Sequence, residues 1–311
     1  MVLLDFEKKV LGFIKDYKIF NKYDKILLGV SGGKDSMSLF YTMHKLSKII
    51  GFEISVVHLN HGMREEAIKD ENFVREKCEN IGVRFISEKK DVFQYSKKNK
   101  VGIEVAGRSL RYEFFYRTLR KLDYNKIATA HHMDDLVETL FYRILRGTGI
   151  YGLGGLVPIE GELAKPMLCV NLEDIKNYVT INNIEYVEDS YNYSLDYSRN
   201  KIRQNIAPLF EQINIKYSQS FFRLAKIVWK YREEIKKKFN ERSKTSQDLI
   251  SIELIGDFFD KEVLRYAFLK LGQYPPNMEE TEKIIEMRNG GIRRINKINL
   301  VKKGNCIELR R

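Results

Sequence analysis

Lys25-Ile26-Leu27-Leu28-Gly29-Val30 runs directly into Ser31-Gly32-Gly33-Lys34-Asp35-Ser36, after which Leu39, Met43, Leu46 and Ile50 recur at spacings of four, three and four. A short apolar run followed by that spacing predicts a buried strand, a tight turn and a helix over about 35–50. Two glycines in such a turn let the backbone approach a ligand closely, and the free N–H groups at the helix start favour an anion such as phosphate. The stretch is not a Walker A loop, which needs Gly at Leu28 and Ser or Thr at Asp35. A carboxylate in that place suggests another arrangement. The Ser31 and Ser36 hydroxyls and backbone N–H groups would take phosphate oxygens, while Asp35 holds a cation. The plainer alternative is a Ser/Gly turn capped by Asp35.

Working outward, Glu53–Leu59, Val83–Ser87 and Lys126–Ala130 also read as buried strands, with helical patterns over roughly 64–81, 104–122 and 134–145. Strands alternating with helices predict an α/β fold, a parallel sheet with helices on both faces and ligands at the C-terminal strand ends. Residues 150–170 are loop-rich, and a further helix is expected near 171–181. Beyond Pro208 the chain turns helical and basic. We therefore expect two domains, a catalytic one over 1–210 and a smaller, mainly helical one over 211–311 that ends in a hairpin around Lys303-Gly304-Asn305.

The 311 residues are 43% hydrophobic and 31% charged, a globular composition. Lys and Arg exceed Asp and Glu by 54 to 42, and residues 211–311 hold 22 of the basic against 14 of the acidic side chains. That excess favours a polyanionic partner such as nucleic acid. No apolar run reaches the roughly 18 residues of a membrane span, and no cleavable leader is visible, which predicts a cytoplasmic protein without membrane attachment. Cys78, Cys169 and Cys306 are scattered, with no C-x-x-C pair for a metal or cluster.

Four of the five histidines fall at expected strand ends, in His58-Leu59-Asn60-His61 and in His131-His132. Phosphate contact, acid–base work and packing all suit them better than a transition-metal site, because ligand spacings such as H-E-x-x-H are missing. Asp135 and Glu138 share a helix face and suit a cationic amine, or simply the positive end of the helix. Glu104, Arg108 and Arg111 form a stripe, and Arg143, Arg146, Arg199 and Arg203 add guanidinium groups suited to phosphate or RNA. Gly147, Gly149 and Gly152 spell G-x-G-x-x-G, but no strand precedes them, so we discount that string as a dinucleotide site.

Ser31-Gly32-Gly33-Lys34-Asp35-Ser36 resembles the PP-loop of the N-type ATP pyrophosphatases, whose fold is of the adenine nucleotide alpha hydrolase type. The lysidine synthetases among them are resembled further by His58-Leu59-Asn60-His61 with Arg64, and by Glu104 to Arg108 with Arg111-Tyr112. Ala128-Thr129-Ala130-His131-His132 with Asp135 and Glu138, then Arg146-Gly147-Thr148-Gly149, continue the likeness, which ends on Glu188-Asp189-Ser190 through Arg199-Asn200 to Arg203. This resemblance implies ligation of free L-lysine to the wobble cytidine of tRNA(Ile) with a CAU anticodon, through an adenylated cytidine, changing the codon read from AUG to AUA. The cofactors implied are ATP and Mg²⁺. By resemblance Ser31, Gly32, Gly33, Lys34, Asp35, Ser36, Asn60, Arg108, His131 and His132 would bind ATP, with Asp35 on the metal. Asp135 and Glu138 would hold lysine and act with Asp35 in catalysis. Arg64, Arg111, Arg199 and Arg203 would meet tRNA. The resemblance leaves monomer and homodimer both open.

Two departures stand out. Lys165-Pro166 occupies a place where members often carry Arg-Pro, and Lys34 replaces a small or hydrophobic residue. Competing readings are a PP-loop tRNA thiolase, disfavoured by the scattered cysteines, and a noncatalytic RNA-binding protein, disfavoured by the intact turn.

Overall fold

In the computed structural model, which describes residues 2–62, 66–188 and 201–311, the decisive run forms β1 (Lys25–Gly29) and then α2 (Lys34–Ile50), after an N-terminal α1 (Asp5–Asp16). Ile26, Leu27 and Leu28 have no exposed surface, as a central strand covered on both faces requires. β2 (Glu53–Asn60) and β3 (Arg84–Lys89) lie to one side of β1, and β4 (Lys126–Ala128), β6 (Leu163–Ala164) and β5 (Ile159–Glu160) to the other. The order β3-β2-β1-β4-β6-β5 is parallel throughout except for the antiparallel edge strand β5.

Strand alternation divides the core. Leu27, Val57 and Ile127 pack with Ala106, Leu110, Phe114 and Phe115 of α5 (Ile103–Lys121), while Ile26 and Leu28 point to the opposite face, where α2 packs on β1 and β2 and meets α1 and α8 (Leu172–Ile181). Gly29 shares the Leu27 side and must lack a side chain: a Cβ there would lie 2.7 Å from Phe115. Between these elements lie α3 (Glu66–Asn80), α4 (Val92–Asn99), α6 (Met133–Leu145) and α7 (Ile150–Leu153). The chain builds β2 and β3 to one side of β1 and then returns to build β4 on the other. That reversal opens a crevice beyond the C-terminal ends of β1 and β4, the usual ligand site of such sheets.

The chain divides into compact units of residues 1–225 and 226–311, where a boundary after 210 was expected. The division falls inside one helix, Tyr217–Arg242, so texture alone does not reveal it. In the second unit the expected hairpin of β10 (Ile298–Lys303) and β11 (Cys306–Arg310) belongs to a five-stranded antiparallel sheet, with β7 (Ser243–Thr245), β8 (Leu249–Glu253) and β9 (Ile292–Ile295) in the order β7-β8-β11-β10-β9. Ile250, Ile252, Leu300, Ile307 and Leu309 cover Val263, Leu264, Ala267 and Phe268 of helix Asp260–Lys270. Helix still outweighs strand in this unit. None of the helices among the described residues is long and apolar enough to cross a membrane.

Candidate active site at the strand ends

The turn after β1 is pre-shaped by one hydroxyl. Ser36 Oγ accepts the N–H groups of Ser31 (3.1 Å) and Gly32 (3.2 Å) and donates to the Gly33 carbonyl (2.9 Å). Gly32 has φ +96°, a backbone state that glycine adopts without strain. Val187 N–H ties the Gly32 carbonyl from outside at 3.0 Å. No side chain caps α2, whose first N–H groups therefore stay available to an anion.

Asp35 stands at the mouth of this cradle with Oδ2 3.8 Å from His132 Nε2. Its Oδ1 is buried and has no hydrogen-bond partner among the described residues. Burial pushes its pKa up, Asp135 adds to the rise, and His132, Lys34 and Arg203 oppose it. Among the described residues no group of three or more His, Cys, Asp or Glu side chains is placed to cage a metal. An unsatisfied carboxylate oxygen beside a phosphate cradle fits Mg²⁺ held by one carboxylate and the nucleotide's own phosphates.

The end of β4 carries the two neighbouring histidines into opposite surroundings. His131 Nδ1 lies 2.8 Å from Thr129 Oγ1. Burial, reinforced by Lys165 and Arg108 against the pull of Asp135, pushes its pKa down to about 4. His132 starts α6: its N–H donates to Asp135 Oδ2 (2.9 Å), and its ring Nδ1 lies 3.2 Å from the Asp134 amide and 3.4 Å from the Asp134 carboxylate. Burial opposes charge on this ring, but Asp135, Asp134 and Asp35 outweigh it and push the pKa up to about 9. Nδ1 can accept the Asp134 amide only while it carries no proton, so protonation of this nitrogen redirects it to the Asp134 carboxylate.

Asp135 and Glu138 do come together, and they already hold a cation. Arg203 Nε donates to Glu138 Oε1 at 2.6 Å, and Arg203 Nη2 lies 3.4 Å from Asp135 Oδ1. Burial works against charge on Asp135, yet His132, His131 and Arg203 keep its pKa below the usual carboxylate range. On Glu138 burial prevails over Arg203 and raises it. Arg203, expected at RNA, instead sits on the acid pair, because the π-helical turn Ile202–Ile206 packs against α6.

Other expected residues have structural work. Asn60 donates to Glu71 Oε2 (3.0 Å) and the Ala67 carbonyl (3.3 Å) and accepts Gly62 N–H (3.0 Å), so both ends of its amide serve the loop after β2. His58 Nδ1–H donates to the Val30 carbonyl at 2.9 Å, stapling β2 to the end of β1. Arg111 lies 3.4 Å from His61, and Arg108 is exposed, above the Tyr112 ring. Arg143 donates to the carbonyls of Gly152 (3.3 Å) and Gly155 (2.8 Å), holding the glycine string as a helix connector between α6 and α7. Arg64 and Arg199 lie outside the described residues. Sequence reasoning gave no role to Glu71, Thr129 or Lys165, although Lys165 stood out beside Pro166.

Comparison with known proteins accords with this geometry. A PP-loop domain family matches residues 2–210. The tRNA(Ile)-lysidine synthase of Petrotoga mobilis is 71% identical over 307 residues, covering 99% of both chains. Those of Thermosipho africanus and Pseudothermotoga lettingae are 35% and 38% identical over 76% and 78% of this chain, which spans about half of their length, 56% and 55%. In fold the chain is similar to the U34-tRNA thiolase NcsA from Methanococcus maripaludis, with a TM-score of 0.60 at 17% identity over 72% of this chain and 78% of that one. With its PP-loop domain and its likeness to the Petrotoga enzyme along almost the whole chain, the protein belongs to the tRNA(Ile)-lysidine synthase family.

Proposed function

We propose that the chain converts the wobble cytidine of tRNA(Ile) with a CAU anticodon to lysidine, using ATP and free L-lysine. The observation that carries this reading is the acid pair Asp135 and Glu138, already holding a guanidinium within the same crevice as an anion cradle. One site then accepts both a polyphosphate and a primary amine.

The cytosine C2 oxygen attacks the α-phosphorus of ATP. An O–P bond forms, the bond to the β-phosphate breaks, and pyrophosphate leaves. The side-chain amine of lysine then attacks C2; a C–N bond forms, the C2–O bond breaks with departure of AMP, and the nitrogen loses a proton. Gly32, Gly33 and the first turn of α2 receive the departing pyrophosphate through N–H groups, the kind of preorganised charge that stabilises phosphoryl transfer. Asp35 would hold Mg²⁺, which supplies positive charge at the phosphates. Asp135 and Glu138 bind lysine in exchange for Arg203 and bring it to the activated carbon, a gain in effective concentration. Replacement of the base oxygen by lysine would change the codon read from AUG to AUA.

Sulfur transfer is the less favoured chemistry for this site. Burial pushes the Cys78 and Cys169 thiols up to about 12, far from the thiolate that such transfer needs.

Radiolabelled lysine, ATP and Mg²⁺ with an unmodified CAU transcript test the proposal. Label that survives mild base, which cleaves an aminoacyl ester, is the expected result. Pyrophosphate release with RNA but no label would refute the choice of amine.

A further inference from the structure

Lys165 directly follows β6 and is buried, with 2% of its side chain exposed. An ammonium carries three donors. Among the described residues, Nζ reaches only the Val157 carbonyl, at 3.5 Å, and Glu160 Oε2, at 3.9 Å on a side chain that is itself 72% exposed. A buried cation so thinly satisfied is costly unless something completes it.

Its position says where the missing partner lies. Ala128 pairs with Ala164, and Thr129 N–H donates to the Ala164 carbonyl at 3.1 Å, so Thr129 and Lys165 are the next residues along two parallel strands. Residues level with one another on parallel strands point to the same face. Thr129 Oγ1 holds His131, and Lys165 therefore sits beside the Thr129–His131 pair at the C-terminal sheet edge. The charged groups that Lys165 feels are Glu160, Arg108 and Arg143, and it acts in turn on the neutral His131. Two arginines and a lysine against one exposed glutamate make a patch in which positive charge outweighs negative.

We propose that Lys165 binds a nucleotide phosphate, specifically the α-phosphate that is carried away as AMP. β6 lies two strand spacings, about 10 Å, from β1 and its pyrophosphate cradle, so Lys165 stands outside that cradle and the phosphate it meets is the one left on the nucleoside. The crevice is then divided: pyrophosphate at α2, AMP phosphate at Lys165, amine at Asp135 and Glu138. The assignment rests on the nucleotide reading above, but it does not depend on which amine is transferred.

Equilibrium dialysis with AMP, pyrophosphate and the CAU transcript, each measured alone on the full chain, tests it. Lys165→Met should weaken AMP at least about tenfold, the usual size of a lost charge-assisted hydrogen bond. Pyrophosphate and transcript affinity should stay unchanged, and Lys165→Arg should recover AMP binding. Circular dichroism melts check folding, and Lys165→Gln, polar but uncharged, replaces Lys165→Met if that variant does not fold. AMP affinity equal to wild type would overturn the proposal. So would loss confined to the transcript, which would make the bound phosphate one of the RNA backbone. Failure of the wild-type chain to label tRNA with lysine, with the AMP difference intact, would remove the lysidine reading and leave Lys165 as the phosphate ligand.

Discussion

His131 and His132 are consecutive, yet burial pushes the pKa of the first down to about 4 while carboxylates push that of the second up to about 9. The backbone of His132 is extended, with φ −121° and ψ −176°, so neighbouring side chains leave on opposite sides. His131 lies with Thr129, Lys165 and Arg108, and His132 with Asp35, Asp134 and Asp135. The pair marks the border between a side of the crevice that carries Lys165 and Arg108 and a side lined by carboxylates.

His132 makes stability depend on alkaline pH. Its folded pKa lies above the ordinary 6.5, so its contribution is complete below about 6.5 and is lost as pH rises through about 9. A shift of that size corresponds to roughly 3 kcal/mol. Thermal melts of wild type should fall more steeply between pH 7 and 10 than those of His132→Asn. Parallel curves would show that the ring carries no such charge.

Asp135→Asn and Glu138→Gln should raise the KM for lysine far more than that for ATP, because the ammonium alone loses its counter-charge. An increase of about tenfold or more is expected from the loss of one charged partner. Pyrophosphate-release kinetics with each substrate varied in turn would show this; equal shifts would argue against lysine at these acids.

Arg203 and Glu138 should be coupled. Arg203→Met leaves Glu138 buried without its 2.6 Å partner, and a loss of about 1 to 3 kcal/mol is expected, discounted because Arg203 is 38% exposed. Glu138→Gln with Arg203→Met should cost less than the two changes summed, measured by urea unfolding. Strict additivity would mean that the ion pair contributes nothing.

Asp35→Asn should leave the fold intact, slow pyrophosphate release at least about tenfold and raise the Mg²⁺ concentration needed for half-maximal rate. An unaltered Mg²⁺ dependence would separate Asp35 from the metal.

Gly29→Ala would place a methyl 2.7 Å from the Phe115 ring, costing about 1 to 3 kcal/mol through overpacking. Phe115→Leu in the same chain should relieve part of that loss, so the two changes should be less than additive in chemical denaturation.

The linear sequence determined the central strand, the Ser-Gly-Gly turn, its helix and the succession of parallel strands. Those features rest on local periodicity and on glycine's backbone freedom, and the observed β1, α2, β2, β3 and β4 begin and end within two residues of expectation. Short elements such as α4, β5, β7 and β8 carry too little pattern to be read in this way.

Tertiary structure decided which polar groups face one another. Asn60 and His58 sit in a motif suited to ligands, but closure of the loop after β2 turned both inward. Arg203 lies 65 residues from Glu138 in sequence, and only the packing of Ile202–Ile206 on α6 joins them. Lys165 is an ordinary lysine until β6 pairs with β4 and removes it from water. Spacing along a chain fixes which side chains share an element's face. Charge, burial and hydrogen bonding across elements depend on long-range packing, which no local pattern encodes.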